Sequence, residues 1–498
     1  MLPRDTDAAA AVSYDLIIIG GGIYGIMAAL EAARRKLRPL LLERADFGGA
    51  TSWNSLRIIH GGLRYLQSLD LHRFRESVPE RRWFLRHFPD LVSPLECLMP
   101  LYGEGLRRTS ILRAALRVND LLSRQRNLAV RSANALPASR IIGPDETANR
   151  FPAVDRDGLK GGALWYDGVM TSSQRVVIES LRWATSYRAR VLNYVEADSL
   201  LTNRSGAAAG IGAIDRVTGA SMEFRAPSVL NLTGPWSRTL AARLDPRLGD
   251  RPELFQPSLA FNLFLDREPP APLALAVRPR HSKSRTYFIH PWQGRTLAGT
   301  YHAPWSGPVD DVAPSDQQLD AFLADLNSAV PGWDLTRDNI LRIHAGLIPA
   351  AHAGSDQPAS REVIIDHGKA GGVPGLFSVS GVKFTTARLV AEKAVRTAFP
   401  ALTRDPDALL GTERPIPFAV PSLDPFEELR RTDPQRASTI LTQLIDDESV
   451  VYAEDLLLRR TDWGYDPADE RRLAPGIARL LERSRTPASG VAVEPPRP

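Results

Sequence analysis

The sequence predicts an α/β fold in which the strands of a parallel sheet are scattered along the chain. An antiparallel second domain is interleaved between them, and a helical region follows at the C-terminus. Three observations predict it. Residues 14–20 form a short β-branched apolar run, residues 23–36 carry Ala and Leu at helical spacing, and residues 38–43 form a second apolar run, together a βαβ unit. Similar runs recur at 228–233 and 376–380, each followed by glycine and then by helix-like sequence. Runs that are apolar without alternation suit strands covered on both faces. By contrast, residues 251–300 hold alternating patches such as Ala260–Leu265 and Thr286–His290, which suit antiparallel strands, and residues 427–483 are charged and helical.

The first strand ends at Gly20, and the helix after it closes on Arg34, Arg35 and Lys36, where basic side chains complement the helix dipole. Between them lies Gly20-Gly-Gly22-Ile23-Tyr24-Gly25, a G-x-G-x-x-G in the strand–turn–helix setting that dinucleotide binding requires. Gly20 permits the tight turn, Gly22 lets a pyrophosphate approach the helix N-terminus, and Gly25 allows helix and strand to pack closely. Glu43 ends the second strand 18 residues beyond Gly25, placed to accept hydrogen bonds from an adenosine ribose. A carboxylate there repels a 2′-phosphate, which disfavours NADP. The fingerprint alone does not separate NAD from FAD.

Composition narrows the chemistry. At 498 residues the chain has room for two or three domains, and 43% hydrophobic with 24% charged residues excludes wholesale disorder. The single cysteine, Cys97, excludes an intramolecular disulfide, a cysteine-based zinc site, an iron–sulfur cluster and a C-x-x-C redox pair. Redox chemistry would then fall to an organic cofactor or to a His/carboxylate metal site, and of the two a metal site is not expected. No run of 18 apolar residues is present, and residues 1–12 lack the apolar core of a secretory signal, so a cytoplasmic location is expected. The proline-rich tail, residues 484–498, reads as disordered.

The segment after the second strand is more specific. Ala50-Thr51-Ser52 and Ile59-His60-Gly61-Gly62-Leu63-Arg64-Tyr65-Leu66 are followed downstream by Asn231-Leu-Thr-Gly234-Pro-Trp236, Gly381-Val-Lys383-Phe384-Thr385-Thr-Ala-Arg388 and Val450-Val-Tyr-Ala-Glu-Asp-Leu-Leu-Leu-Arg-Arg-Thr461. In these strings, and in their order, the chain resembles the FAD-dependent glycerol-3-phosphate dehydrogenases of the D-amino-acid-oxidase superfamily. The resemblance implies a Rossmann-type FAD-binding domain with an interleaved antiparallel-sheet substrate domain and a helical C-terminal region. It divides the chain into FAD-binding segments 13–80, 152–238 and 345–398, substrate segments 81–151 and 239–344, and a helical region 399–483. Carried over residue by residue, it places Gly20, Gly22, Ile23, Tyr24, Gly25, Glu43, Arg44, Thr51, Ser52, His60, Gly61, Gly62, Val195, Gly234, Lys383, Phe384 and Thr385 against FAD. It places His60, Arg64, Tyr65, Arg361 and Lys383 around the substrate, where a secondary alcohol is oxidised by hydride transfer to flavin N5. His60 is the candidate base, since unperturbed imidazole titrates near neutral pH (about 6.5). Arginine suits phosphate or carboxylate through paired hydrogen bonds, and Lys383 adds a point charge.

One position departs from the family. Where its members carry a substrate-phosphate arginine in a Gly-Val-Arg-Pro turn, this chain reads Gly346-Leu-Ile348-Pro349, with Arg342 and His344 as the nearest replacements. The expected substrate is therefore glycerol 3-phosphate or a related hydroxylated, anionic metabolite. Oxidation of an amine or amino acid, or a catalytically silent flavin-binding subunit, stands as the alternative.

The formal net charge of +5 is unevenly spread. Residues 107–140 hold eight arginines against one acid, Asp120, a net +7. Ile111, Leu112, Ala115, Leu116, Leu121 and Leu122 interleave with Arg113, Arg117 and Arg124 in an amphipathic helical pattern. Such a helix suits an anionic membrane surface. It equally suits a domain helix with solvated arginines, or one that meets an acidic partner. The resembled enzymes are peripheral membrane proteins that pass electrons to quinone, so the resemblance implies quinone or another electron acceptor and makes the inner face of the membrane one candidate surface for residues 107–140. No nucleic-acid module is recognisable, so nucleic acid is not an expected partner.

Overall fold

The computed structural model describes residues 2–62, 70–103, 108–279, 285–403 and 420–485. A six-stranded sheet runs in the order Val363–Asp366, Leu376–Ser380, Val229–Asn231, Leu16–Ile19, Pro39–Leu42, Arg190–Leu192. All its pairings are parallel except that of the edge strand Val363–Asp366. The strands are buried on both faces, as their unbroken apolar runs require. Leu16, Ile18 and Leu41 face one core with the helices Ile23–Arg34, Ser173–Ser186 and Ala387–Ala398. Ile17, Ile19, Leu40 and Leu42 face another, covered by the antiparallel meander Val195–Thr202, Ala208–Asp215, Ser221–Arg225 and the helix Ser237–Leu244.

Behind the glycine-rich turn, three helices are tied by one buried cation. The Arg388 guanidinium donates to Glu80 at 3.0 Å, to Glu31 at 3.3 Å and to Glu392 at 3.2 Å. Burying a guanidinium is costly unless its donors are met, and here they are shared among three carboxylates.

The second sheet has nine strands, in the order Ile340–Pro349, Pro257–Leu265, Arg295–Pro304, Tyr287–Trp292, Ala274–Val277, Val92–Leu101, Gly161–Met170, Ile58–Ile59, with Arg140–Ile142 also on Gly161–Met170. It is antiparallel apart from one short parallel pairing. The antiparallel strands expected around 260–265 and 286–290 are thus found in this sheet, although residues 261–265 are buried without alternation. The helix Asp316–Ala329, opened by a Ser315/Gln318 capping box, packs into its core.

Sheet membership moves three of the expected boundaries. Gly161–Met170 and Ile58–Ile59 pair inside the antiparallel sheet rather than the parallel one, and Ile340–Pro349 continues in it past residue 344. The physical reason is length: Gly161–Met170 spans ten residues and pairs along all of Val92–Leu101, whereas the parallel strands are three to five residues long.

The C-terminal region is helical as expected, with Leu423–Thr432, Pro434–Asp447, a π-turn at Asp455–Arg460 and Pro467–Arg485. It is fastened to the dinucleotide domain by Arg460, whose guanidinium grips Asp46 at 2.6 and 2.8 Å, and by Arg175, which meets Glu448 at 2.7 Å. Residues 486–498, which make up most of the tail expected to be disordered, lie outside the described residues.

The basic segment forms the helix Thr109–Leu122. Leu112, Leu116 and Asn119 are its buried stripe, and the two leucines pack with Cys97, Met99, Leu101 and Trp165 of the substrate sheet. Burial pushes the Cys97 thiol well up. Ile111, Leu121 and Leu122, grouped in the sequence with the packed leucines, are instead exposed alongside Val118. Residues 112, 116 and 119 follow the helical repeat on one side, which leaves a second apolar stripe on the outside among Arg113, Arg117 and Arg124.

Candidate active site

A cavity of about 1050 Å³ opens at the carboxyl ends of the parallel strands and runs to the face of the antiparallel sheet. This is the edge at which open α/β sheets bind ligands, and the volume is at the upper end of the usual range of roughly 300–1,000 Å³.

At one end the walls are made largely of backbone. Gly20 has φ +109° and its N–H donates to Leu42. A Cβ on Gly25 would fall 1.8 Å from the Gly20 carbonyl oxygen, so only glycine lets the helix start this close to the strand. The helix Ile23–Arg34 has Gly22 at its N-cap and no side-chain cap from that residue. Ser52 supplies one from outside: its Oγ accepts the Ile23 N–H at 3.0 Å, which brings the loop after the second strand to the helix N-terminus. An anion bound here would meet free N–H groups and the positive end of the helix dipole.

Glu43 accepts from Gly21 N at 2.6 Å and Ala45 N at 2.8 Å, and burial pushes its carboxyl up against those bonds. Its remaining lone pairs can accept ribose hydroxyls. Arg44 lies over the Trp236 ring at 4.2 Å and reaches Asp310 at 2.6 Å, while the Trp236 indole N–H donates to the same carboxylate oxygen at 2.7 Å. Val195 and Gly234 also line the cavity, and Gly234, at φ +57°, has open space where a Cβ would stand. Thr51 lines it too, but its hydroxyl is spent on the Leu347 carbonyl at 3.0 Å. The glycine-built helix N-terminus, the open glycine and the carboxylate beyond it fit FAD.

At the other end, Tyr24 ties two βα turns together. Its hydroxyl accepts from Lys383 N at 2.7 Å and donates to Lys383 O at 2.6 Å, which fixes Gly381–Phe384 against the first helix. A Cβ on Gly381 would fall 2.0 Å from the Tyr24 ring. Burial, with the charge of Arg73 adding, pushes the Lys383 ammonium down to about 8. Lys383 and Phe384 line the cavity, and Thr385 is buried behind them.

His60 stands outside the immediate cavity wall with its side chain 42% exposed, and its Nδ1 lies 3.2 Å from Asp167 Oδ2. Asp167 also accepts from Gly61 N and Arg81 Nη1, both at 2.7 Å, and from the Trp165 indole at 3.3 Å. Burial alone would raise this carboxyl, yet the His60 hydrogen bond and the Arg81 charge hold it well below the usual carboxylate range. Gly61 is required by the same cluster, since a Cβ there would fall 2.0 Å from Arg81. Gly62, at φ +93°, occupies backbone space that favours glycine. An anionic Asp167 on Nδ1 sets the tautomer that leaves Nε2 open to take a proton.

The other substrate positions divide. Arg64 and Tyr65 lie outside the described residues, and Arg361 is exposed and away from the cavity lining. Ile348 does line the cavity. Neither neighbour replaces the missing guanidinium. Arg342 turns to the C-terminal region, donating to the Tyr465 and Gly464 carbonyls at 3.2 and 2.9 Å and pairing with Glu470. His344 is fully buried with its ring edge against Trp53 at 4.8 Å, and burial holds it well below its ordinary titration range.

Asp167 and Arg81 were not legible as site residues, since Asp167 is 107 residues from His60 and Arg81 lies on another element. A signal existed for the first: Asp167 is the one charged residue in the apolar strand Gly161–Met170, and a charge in such a strand needs a partner.

A family model described as FAD dependent oxidoreductase matches residues 15–397. The chain is 32% identical over 417 residues to the glycerol-3-phosphate dehydrogenase of Synechocystis, covering 82% of this chain and 74% of that one. It is 34% identical over 390 residues to glycerol-3-phosphate dehydrogenase 1 of Mycobacterium tuberculosis, covering 77% and 72%. Among solved structures, the glycerol-3-phosphate dehydrogenase from Bacillus halodurans complexed with FAD superposes with a TM-score of 0.69 at 20% identity, covering 96% of this chain and 92% of that one. An L-α-glycerophosphate oxidase from Mycoplasma pneumoniae with FAD bound shares the fold at a TM-score of 0.53 and 15% identity, covering 79% and 97%.

Proposed function

The chain belongs to the family of FAD-dependent oxidoreductases, among the glycerol-3-phosphate dehydrogenases, and from that premise we propose that it oxidises the secondary alcohol of glycerol 3-phosphate or a close hydroxylated, anionic relative. The relatives support oxidation at a hydroxyl-bearing carbon rather than at a C–N bond. When bound, FAD supplies the acceptor for the hydride that leaves the carbinol carbon. The proton of the hydroxyl goes to His60 Nε2, and the carbonyl forms as the C–H and O–H bonds break. Asp167 orients the imidazole through Nδ1 and stabilises the charge that it gains. Arg81 and the Gly61 N–H hold Asp167 anionic for that task. Lys383 offers a positive charge at the cavity wall for the anionic substrate or for charge developing beside it.

The observation that carries this reading is the His60–Asp167–Arg81 relay, a half-exposed base with its orienting carboxylate, just outside the wall of a dinucleotide cavity. Anaerobic titration of the holoenzyme tests it. Glycerol 3-phosphate should bleach the visible flavin band. Bleaching by amines and not by hydroxylated anions would overturn the alcohol reading, and no bleaching across a panel of polyols, sugar phosphates and amines would point to a silent flavoprotein.

We further propose that the helix Thr109–Leu122 rests on an anionic membrane surface, where quinone is the electron acceptor. Its outward face combines Ile111, Val118, Leu121 and Leu122 with Arg113 and Arg117, and the adjoining turn adds Arg124 and Leu128. No helix among the described residues is long and apolar enough to cross a membrane. An apolar and cationic face of this kind fits interfacial binding. Co-sedimentation with vesicles rich in anionic lipid, weakened by salt, is expected, and equal binding to neutral vesicles or none at all would refute it.

A further inference from the structure

We propose that Arg459, supplied by the C-terminal helical region, is a ligand for the diphosphate of the bound dinucleotide, so that this region completes the cofactor site. The inference rests on the FAD reading above. Arg459 sits on the π-turn Asp455–Arg460, three of whose other residues are tied to the dinucleotide domain. Arg460 grips Asp46, the Tyr194 hydroxyl donates to Asp455 at 2.7 Å, and the Trp53 indole N–H donates to the Leu458 carbonyl at 3.1 Å. These anchors fix where the Arg459 backbone emerges.

The side chain then runs toward the loop that follows the second parallel strand. Its guanidinium carbon lies 5.1 Å from the centre of the Trp53 ring, and a Cβ on Gly49 would stand 3.4 Å from Nε and 3.6 Å from Nη2. Arg459 also lines the cavity. Gly49 is three residues before Ser52, whose hydroxyl caps the N-terminus of the first helix, so the guanidinium borders the segment that would cradle the diphosphate.

Its hydrogen-bonding state points the same way. Arg459 Nε and Nη1 are buried without an acceptor, and no carboxylate pairs with it among the described residues. The other arginines of the cavity wall are engaged: Arg44 with Asp310, and Arg243 with the Ala197 carbonyl at 3.0 Å. Arginine is charged at any working pH, and leaving its buried donors unmet is costly. A buried polar group without a partner calls for one that is absent from the chain itself. In an FAD site the group of fixed negative charge is the diphosphate, which accepts readily from a planar guanidinium.

The full chain, stripped of flavin, tests this by calorimetric titration with FAD, ADP, adenosine and inorganic phosphate. Arg459→Gln should weaken FAD and ADP by about 10- to 150-fold, the range for a charge-assisted hydrogen bond, and leave adenosine unchanged. Arg459→Lys, which keeps the charge and loses the planar fork, should fall between. Wild-type affinity for FAD and ADP in Arg459→Gln would overturn the proposal, as would an equal loss for adenosine. So would inorganic phosphate competing at Arg459 without any effect on ADP. If Arg459→Gln does not fold, Arg459→Lys decides, and a wild-type ratio of ADP to adenosine affinity there overturns it. Failure of the wild-type chain to bind FAD would instead break the family reading on which this one stands.

Discussion

At the dinucleotide end of the cavity the core of the site is a glycine turn, a helix N-terminus and one carboxylate within residues 20–52, to which Val195, Gly234 and Arg459 are added from farther along the chain. At the substrate end Ile348 and Lys383 line the wall and His60, Asp167 and Arg81 stand beside it, side chains spread over the chain. The first is a backbone device, whose geometry the local sequence determines almost alone. The second is an assembly that exists only once the antiparallel sheet has brought Ile58–Ile59 against Gly161–Met170. The contrast explains how a chain can keep its cofactor machinery intact while changing what it oxidises, because one side chain at the far end alters recognition without touching the turn.

The largest effect should separate the two ends. His60→Asn is expected to lower turnover by about 10²–10⁴-fold, the usual contribution of a positioned base, while flavin content stays at wild type. Gly25→Ala should do the reverse first, since its Cβ cannot stand 1.8 Å from the Gly20 oxygen, and the protein should purify without flavin. Flavin-to-protein absorbance ratios and single-turnover reduction rates measure both. Loss of flavin from His60→Asn, or its retention by Gly25→Ala, would dissolve the distinction.

A smaller effect sharpens the substrate end. Ile348→Arg returns a guanidinium to the cavity wall and should raise kcat/KM for glycerol 3-phosphate by about 10- to 150-fold, with uncharged polyols unaffected. If glycerol 3-phosphate turnover is no better, Ile348 is not where the phosphate would sit.

The smallest concerns pH. Lys383, pushed down to about 8 by burial and Arg73, carries its charge below that value and loses it above. KM for an anionic substrate should therefore roughly double on reaching pH 8 and rise about tenfold by pH 9. Lys383→Arg should flatten the curve, and a wild-type KM that does not change across this range would remove Lys383 from anion binding.

The same contrast governs what could be read in advance. The glycine turn, the helix it opens and Glu43 were legible because their spacing is short and each residue type has one physical reason to be there. Asp167 was not, since a lone charge in an apolar strand asks for a partner without saying which, and its partner His60 follows a different strand 107 residues away. The grouping of Ile111, Leu121 and Leu122 with the packed leucines failed for a related reason. A helix with two apolar stripes has the composition of a helix with one, and only its neighbours decide which stripe is buried. Arg459 sat inside a motif that marked the family and yet had no role until the C-terminal region was seen against the loop of Gly49.

The order of strands in the parallel sheet also sets a timetable for the cell. Its members span residues 16 to 380, with the strand at 376–380 paired directly to the one at 229–231. A ribosome adds about 5–20 residues each second, so on the order of 20–80 s pass between emergence of the first strand and arrival of the last. During that interval the glycine turn is made, but the sheet that would hold it is incomplete. Until the last strand pairs, flavin has no complete site to bind, so cofactor supply can stabilise only finished chains.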